Sequence, residues 1–269
     1  KAAFAQAKPE SVMHFSALSN VGESMADPEL YWRNNVGGSL NLLTAMRDAG
    51  VGSIVFSSTA ATYGEPDEDP ITETARQAPI NPYGASKLAV EKMLDDFEKA
   101  HGIRSIAFRY FNVAGADPER QVGEHHVPET HLVPNVLDSV AGARDALTIN
   151  GTDYPTPDGT CIRDYVHVMD LVDAHVLGTE WLLAGKESLR LNLGTGSGFS
   201  VREVVDAASE VVGETVPMNY GPRRPGDPAR LVCDGTRARE VLGWSPERSV
   251  MAQMIGDAWA WRQTGRYSR

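Results

Sequence analysis

The chain has 269 residues, enough for a sizeable core and two lobes, and its 42% hydrophobic content is that of a folded globular protein rather than a disordered one. A formal net charge of -11 argues against nucleic-acid phosphates as partners but leaves an anionic small molecule open, because a few arginines can reverse the field of one cleft. No apolar run approaches the about 18–20 residues of a membrane helix, the start Lys1-Ala-Ala-Phe4 lacks the apolar stretch of a signal peptide, and two cysteines build no disulfide framework, so a cytoplasmic protein is expected.

In chain order, residues 11–17 form a short apolar run of strand length. Asp27-Pro28 opens a helix running toward Gly50, with Asp27 as N-cap and proline in the first turn. Residues 53–58 read as a second strand, Asn81-Pro82 opens a long helix that closes near His101-Gly102, and residues 104–111 read as a third strand. This alternation predicts βαβ units and a parallel sheet. Residues 113–164 are rich in Gly, Pro, His and Asp, with a helical pattern at 132–141, and read as part of a second lobe. A helix follows at 168–183 and a strand at 189–193. Ser200-Val-Arg-Glu203 is a capping box for a helix through Val212, and residues 236–242 and 250–264 also read as helical.

A dinucleotide domain of the doubly wound kind begins with a strand, a glycine-rich turn and a helix N-terminus. Nothing before Ser11 has room for that unit, so the first strands of the sheet are expected to lie outside this sequence. Gly194-Thr-Gly-Ser-Gly198 lacks the full spacing and is expected to be an ordinary strand-to-helix turn. Glu124, His125, His126 and His131 have no helical spacing to fix a metal geometry and are expected to be a solvated loop, with no metal site. Trp259-Ala-Trp261 is expected to pack rather than to stack on a ligand.

Tyr83-Gly-Ala-Ser-Lys87 puts a phenol and an amine one helical turn apart. A free phenol titrates near ~10, and a nearby ammonium would favour the phenolate. Taken alone the pair is equally well an exposed helix pair. Ser57-Ser58-Thr59, at the carboxyl end of an apolar strand, supplies the context, because open α/β sheets bind ligands there. Hydroxyl, tyrosine and lysine together form a proton-transfer set for oxidising an alcohol.

Asn34-Asn-Val36, Phe56-Ser-Ser-Thr59, Tyr63-Gly64, Pro82-Tyr-Gly-Ala-Ser-Lys87, Arg109-Tyr-Phe-Asn112, Asp153-Tyr-Pro155, Asp158-Gly-Thr160, Arg163-Asp-Tyr-Val-His-Val168, Asn192-Leu-Gly-Thr-Gly196 and Arg224-Pro-Gly-Asp227 occur in one order. In this the chain resembles, over essentially its whole length, the UDP-glucose 4-epimerases of the extended short-chain dehydrogenase/reductase family. The Tyr-x-x-x-Lys pair marks only the superfamily, whereas residues 153–168 are much more specific. The resemblance implies a Rossmann-like α/β fold with residues 1–113 and 163–194 in the NAD-binding domain and 114–162 and 195–269 in a smaller substrate domain. It also implies that about sixty family residues, including the glycine loop, precede this sequence.

By the same resemblance Tyr83 is the base, Thr59 stands where most of these enzymes have serine, and Lys87 binds the nicotinamide ribose and lowers the tyrosine pKa. Phe15, Ala17, Ser19, Asn34 and Phe111 match NAD-contact positions, with Ser19 replacing a frequent lysine. Asn112, His131, Leu132, Arg163, Tyr165, Arg224, Asp227 and Leu231 match the side of the UDP-hexose substrate. The two arginines would bind diphosphate, the alternative being ion pairs with Asp164 or Asp227, and Tyr165 and Asp227 would lie at the ribose. Asn150 replaces an aromatic that stacks on uracil in some relatives, and Leu231 is intermediate in size at the gate that controls N-acetyl sugars. A homodimer through residues 28–50 and 81–101 is implied as well. The alternatives are a UDP-GlcNAc 4-epimerase, a redox-inactive nucleotide-sugar-binding protein, and a 4,6-dehydratase. The last needs acid/base carboxyl groups where Ala60-Ala61 stand.

Overall fold

The computed structural model describes residues 1–224 and 227–265. Its strands are β1 (Val12–His14), β2 (Ser53–Thr59), β3 (Arg104–Tyr110), β4 (Asn112–Ala114), β5 (Leu147–Asn150), β6 (Ile162–His167), β7 (Leu189–Leu193), β8 (Gly198–Ser200), β9 (Met218–Gly221) and β10 (Arg230–Leu231). The helices are α1 (Ala2–Ala7), α2 (Val21–Ala26), α3 (Pro28–Tyr31), α4 (Gly38–Ala49), α5 (Pro82–His101), α6 (Leu132–Val140), α7 (Val168–Leu183), α8 (Val201–Val212), α9 (Thr236–Leu242) and α10 (Met251–Arg262). Among the described residues no helix is long and apolar enough to cross a membrane.

Two compact units emerge: residues 1–110, 173–193 and 235–244 form the first, and 111–172, 194–234 and 245–269 the second. In the first unit β1, β2, β3 and β7 form one parallel sheet in that order. β2 is buried along its whole length, as expected of a parallel strand covered on both faces. Leu43 and Met46 of α4 and Val90 and Leu94 of α5 repeat at helical spacing and join Ile54, Phe56 and Ala107 of the sheet in one core.

The long helix expected from Asp27 to Gly50 is interrupted. Asp27 caps a single turn, its carboxylate accepting from Leu30 N at 3.1 Å. The backbone then widens into a π-helical turn, Trp32–Gly37, before α4 closes at Gly50 with φ 72°. The π turn carries Asn35, whose side chain accepts from Leu18 N at 2.9 Å and donates to Leu18 O and Ser86 Oγ at 3.0 and 3.1 Å. Helix periodicity in the sequence does not distinguish a π turn from an α turn. α5 begins and ends where its residues dictate: Asn81 accepts from Gly84 N at 2.8 Å, and Gly102 closes it at φ 72°.

The second unit contains a sheet with β6 at its centre, parallel to β10 and β4 and antiparallel to β8, and a separate parallel pair, β5 with β9. Residues 173–193 fall in the first unit, and this one holds β6. Its burial mixes charged Arg163 and Asp164 with apolar neighbours, which conceals a strand from an apolar-run reading. The capping box is present, Ser200 Oγ accepting from Glu203 N at 3.0 Å and Glu203 accepting from Ser200 N at 2.7 Å.

A buried ion pair fastens α5 to β3. Arg109 Nη2 donates to Glu91 Oε2 at 2.7 Å, with side chains 5% and 4% exposed. Glu91→Ala leaves that guanidinium uncompensated, and urea unfolding should show a loss of about 3–5 kcal/mol. A loss under about 1 kcal/mol would show that α5 is held by other means.

Candidate active site

α5 presents Tyr83, Lys87 and Glu91 at four-residue intervals, hence on one face. Glycine at 84 lets that face come close, because a Cβ there would stand 2.4 Å from Ala61 O. Thr59 ends β2 and caps the 3-10 turn Ala60–Thr62, its hydroxyl accepting from Ala61 N at 3.2 Å. The same hydroxyl is hydrogen-bonded to the Tyr83 phenol. Three of the expected site residues, Thr59, Tyr83 and Lys87, are thus brought together in the first unit.

The expected lowering of the tyrosine pKa by Lys87 is not what the structure shows. Burial pushes the Tyr83 phenol above its ordinary 10.0, and the Thr59 hydrogen bond offsets only part of that. Lys87 is directed elsewhere: Nζ donates to Ser57 O at 2.7 Å and lies 4.9 Å from the centre of the Phe56 ring. Burial also lowers the Lys87 amine from 10.5 to about 8. His14, at the end of β1, is driven down to about 4 by burial and by the charge of Lys87, so it is neutral at neutral pH. Its Nε2 is 2.9 Å from Ser39 Oγ.

Glu91 is a positioning residue that motif reading missed. Besides Arg109 it accepts from Ser58 Oγ. Arg109 Nη1 donates to Tyr63 Oη at 2.9 Å, and Tyr63 Oη donates to Asn192 Oδ1 at 2.7 Å. Burial works against the Arg109 charge, but the adjacent Glu91 carboxylate outweighs it and keeps the pKa above the ordinary value. Tyr63 is pushed up to about 12, chiefly by burial. This network joins α5, β2, β3 and β7. The only signal for it in the sequence is the four-residue step from Lys87 to Glu91, which exposed helices show equally often.

Around the carboxyl ends of the strands lie the residues matched to NAD contacts. Phe15 is 51% exposed, with its ring 4.6 Å from that of His175. Ala17 and Ser19 flank Leu18, which Asn35 pins by both backbone groups. Asn34 is exposed on the π turn, its amide donating to Asn35 Oδ1 at 3.0 Å. His175, 3.4 Å from Ser57 Oγ at Nε2, and Tyr110, hydrogen-bonded to Ser57, were also missed. An exposed ring face, two hydroxyl groups and an amine at one end of a parallel sheet fit a dinucleotide's nicotinamide riboside. Phe111 begins the second unit.

In the second unit Asn112 on β4 pairs in register with Tyr165 on β6. Tyr165, expected at the ribose, is 3% exposed and packs in a core with Val133, Ile149 and Ala114. Arg163 is paired with Asp227 rather than Asp164, and Nη1 donates to Ile162 O at 2.7 Å. Leu231 sits opposite Arg163 in the β10–β6 pairing, so the residues matched to the gate and to the diphosphate are cross-strand neighbours. Arg224 Nε and Nη2 donate to the Asn150 amide oxygen at 3.1 and 3.2 Å in the amide orientation that satisfies both groups. Pro225 and Gly226 of that motif lie outside the described residues. Leu132 opens α6, with His131 as its N-cap residue.

The Gly194–Gly198 turn is not a phosphate loop. Buried Asp164 accepts from Thr195 N at 2.9 Å, Gly196 N at 3.0 Å and Cys233 N at 3.3 Å, so the donors an anion would need are already engaged.

A family model described as GDP-mannose 4,6 dehydratase matches residues 1–256. The UDP-glucose 4-epimerase of Lacticaseibacillus casei is 51% identical over 260 residues, covering 97% of this chain and 78% of that protein. The crystal structure of UDP-glucose 4-epimerase from Brucella ovis in complex with NAD matches with a TM-score of 0.94 at 47% identity, covering 96% of this chain and 80% of that one. The corresponding enzyme from Bifidobacterium longum, in complex with NAD+ and UDP, matches with a TM-score of 0.90 at 39% identity, covering 97% and 78%.

Lys87 makes the site's electrostatics measurable. Its folded pKa of about 8 lies below its ordinary 10.5, so the unfolded chain binds more protons between those values. Stability should therefore rise with pH across that window, and the rise should be smaller in Lys87→Met. After reductive methylation with 13C-formaldehyde, one lysine resonance of the cofactor-free protein should titrate near 8 and vanish in that variant. Titration of every lysine near its ordinary value would contradict the burial described.

Proposed function

The chain belongs to the UDP-glucose 4-epimerase family of extended short-chain dehydrogenases/reductases, and from that premise we infer that it interconverts UDP-glucose and UDP-galactose as an NAD-dependent isomerase. The observation that carries this reading is the hydrogen-bonded Thr59–Tyr83 pair, one helical turn from Lys87. NAD, when bound, takes up and returns hydride at carbon 4 of the sugar.

The chain's own residues handle the proton and the orientation. As the phenolate, Tyr83, linked to the Thr59 hydroxyl, takes the proton of the sugar 4-hydroxyl and returns it to the 4-oxygen after the 4-keto sugar has turned about its diphosphate link. A phenol raised by burial needs positive charge beside it to act near neutral pH, and we assign that role to Lys87, one helical turn away, whose amine is held by Ser57 O in the cofactor-free protein. Phe15, Ala17, Ser19, Asn34 and Phe111 are assigned to the cofactor. Asn112, Leu132, Arg163, Arg224, Asp227 and Leu231 are assigned to the UDP-hexose, the arginine forks suiting diphosphate oxygens. Arg163 is held by Asp227, and that pairing fixes the direction of its guanidinium.

A 4,6-dehydratase needs carboxyl groups directly after Thr59, and the turn there is Ala60-Ala61. A redox-inactive binding protein is disfavoured by the assembled Thr59, Tyr83 and Lys87. Leu231 is intermediate in size at the gate position, and the ratio of rates on UDP-galactose and its N-acetyl counterpart measures how strictly it excludes the N-acetyl group. We further infer a homodimer through the segment carrying exposed Leu30, Trp32 and Leu40 (38%, 44% and 45%) together with α5, to be read by sedimentation equilibrium. Both cysteines are buried as thiols outside any disulfide, in keeping with a cytoplasmic protein.

In the full-length protein Tyr83→Phe should retain bound NAD and lose at least about 100-fold in turnover of UDP-galactose. A rate near that of the unmodified enzyme would remove the basis of the assignment.

A further inference from the structure

We propose that Glu124, His126, Glu129 and His131 form a site for a divalent transition-metal ion, with zinc the ion best matched to the donors. The four side chains lie in the irregular segment ahead of α6, and one ligand atom from each falls within 4.8 Å of all the others. His131 Nδ1 is 2.6 Å from Glu124 Oε1 and 3.3 Å from Glu129 Oε1. His126 Nδ1 is 3.0 Å from Glu124 Oε1 and 4.0 Å from Glu129 Oε2. Donors about 2.0–2.1 Å from a tetrahedral ion are about 3.3 Å apart, so these separations bracket the edge of a zinc tetrahedron.

Glu129 supplies the independent pointer to a ligand. Its side chain is only 1% exposed. Oε1 accepts from Thr130 N and His131 N at 2.8 and 2.9 Å, whereas buried Oε2 accepts no hydrogen bond and faces His126. A buried carboxylate oxygen without a donor is costly, and a cation at this position would satisfy it. Two carboxylates and two neutral imidazoles carry a charge of minus two, which one divalent ion cancels. Binding releases any proton held on a ring nitrogen that becomes a ligand. Mixed imidazole and carboxylate donors suit zinc better than calcium or magnesium.

His126 and His131 are 49% and 46% exposed on their side chains, which leaves the ion a path from solvent. Four protein donors close the coordination shell, so the ion is structural rather than catalytic. It would tie residues 124–131 into one turn at the entrance to α6, where Leu132 begins the helix.

The test uses tag-free full-length protein, stripped with EDTA and dialysed against micromolar zinc. Elemental analysis should find about one zinc per chain, and cobalt(II) in its place should give the intense visible bands of a four-coordinate ion. Glu129→Gln and His126→Ala should each weaken zinc binding at least about ten-fold while leaving the circular dichroism unchanged. The unmodified protein decides the matter even if a variant fails to fold. Less than about a tenth of a zinc per chain, or only the pale spectrum of octahedral cobalt, would overturn the proposal, as would variants that bind zinc like the unmodified protein.

Discussion

The approach of the α5 N-terminus to the turn after β2 is the constraint on which the catalytic face depends. At Gly84 any side chain would meet Ala61 O at 2.4 Å, and only the absence of a Cβ lets the helix come this near. From that contact the register of the helix brings Tyr83 to Thr59, Lys87 to Ser57 O and Glu91 to Arg109. Each partner lies on β2 or β3, adjacent parallel strands in register from Ser53↔Arg104 to Thr59↔Tyr110. A phenol, an amine and a carboxylate on one helix face are therefore each set against a different partner.

Burial governs the chemistry of that face more than pairing does. It raises Tyr83, lowers Lys87 and keeps His14 neutral. The buried ion pair of that face, Glu91 with Arg109, sits behind the reacting groups and not among them. A site arranged this way holds the phenol protonated until a cation adjoins it. In the second unit a carboxylate takes a comparable organising role, as Asp164 gathers the amides of the turn after β7 and of Cys233.

Much of this was legible in the chain. The caps at Asn81 and Ser200, the closing glycines at 50 and 102, and the apolar runs of β2 and β3 mark their elements by local chemistry. Thr59, Tyr83 and Lys87 were recognisable because a four-residue step and a strand end are sequence features. The π turn at Trp32–Gly37 was not, because helix periodicity reads the same for π and α turns and its Asn35 bonds tertiary partners, among them a loop 17 residues earlier. Short strands such as β4, β8 and β10 hold two or three residues and owe their existence to pairing with β6, which no local pattern announces. Tyr165 shares its motif with Arg163 and yet is buried in a core cluster, which the motif alone does not announce. Lys87 looked like the group that acidifies Tyr83, but its hydrogen bond to a backbone carbonyl is visible only in three dimensions.

The most direct test of the account is the rate of UDP-galactose turnover in Gly84→Ala, with Gly38→Ala as the control at a position where a Cβ meets nothing within 4 Å. If the close approach of α5 sets the Thr59–Tyr83 contact, the first variant remains folded with a turnover at least about 100-fold down and the second keeps the unmodified rate. Equal and undiminished rates in both would contradict it.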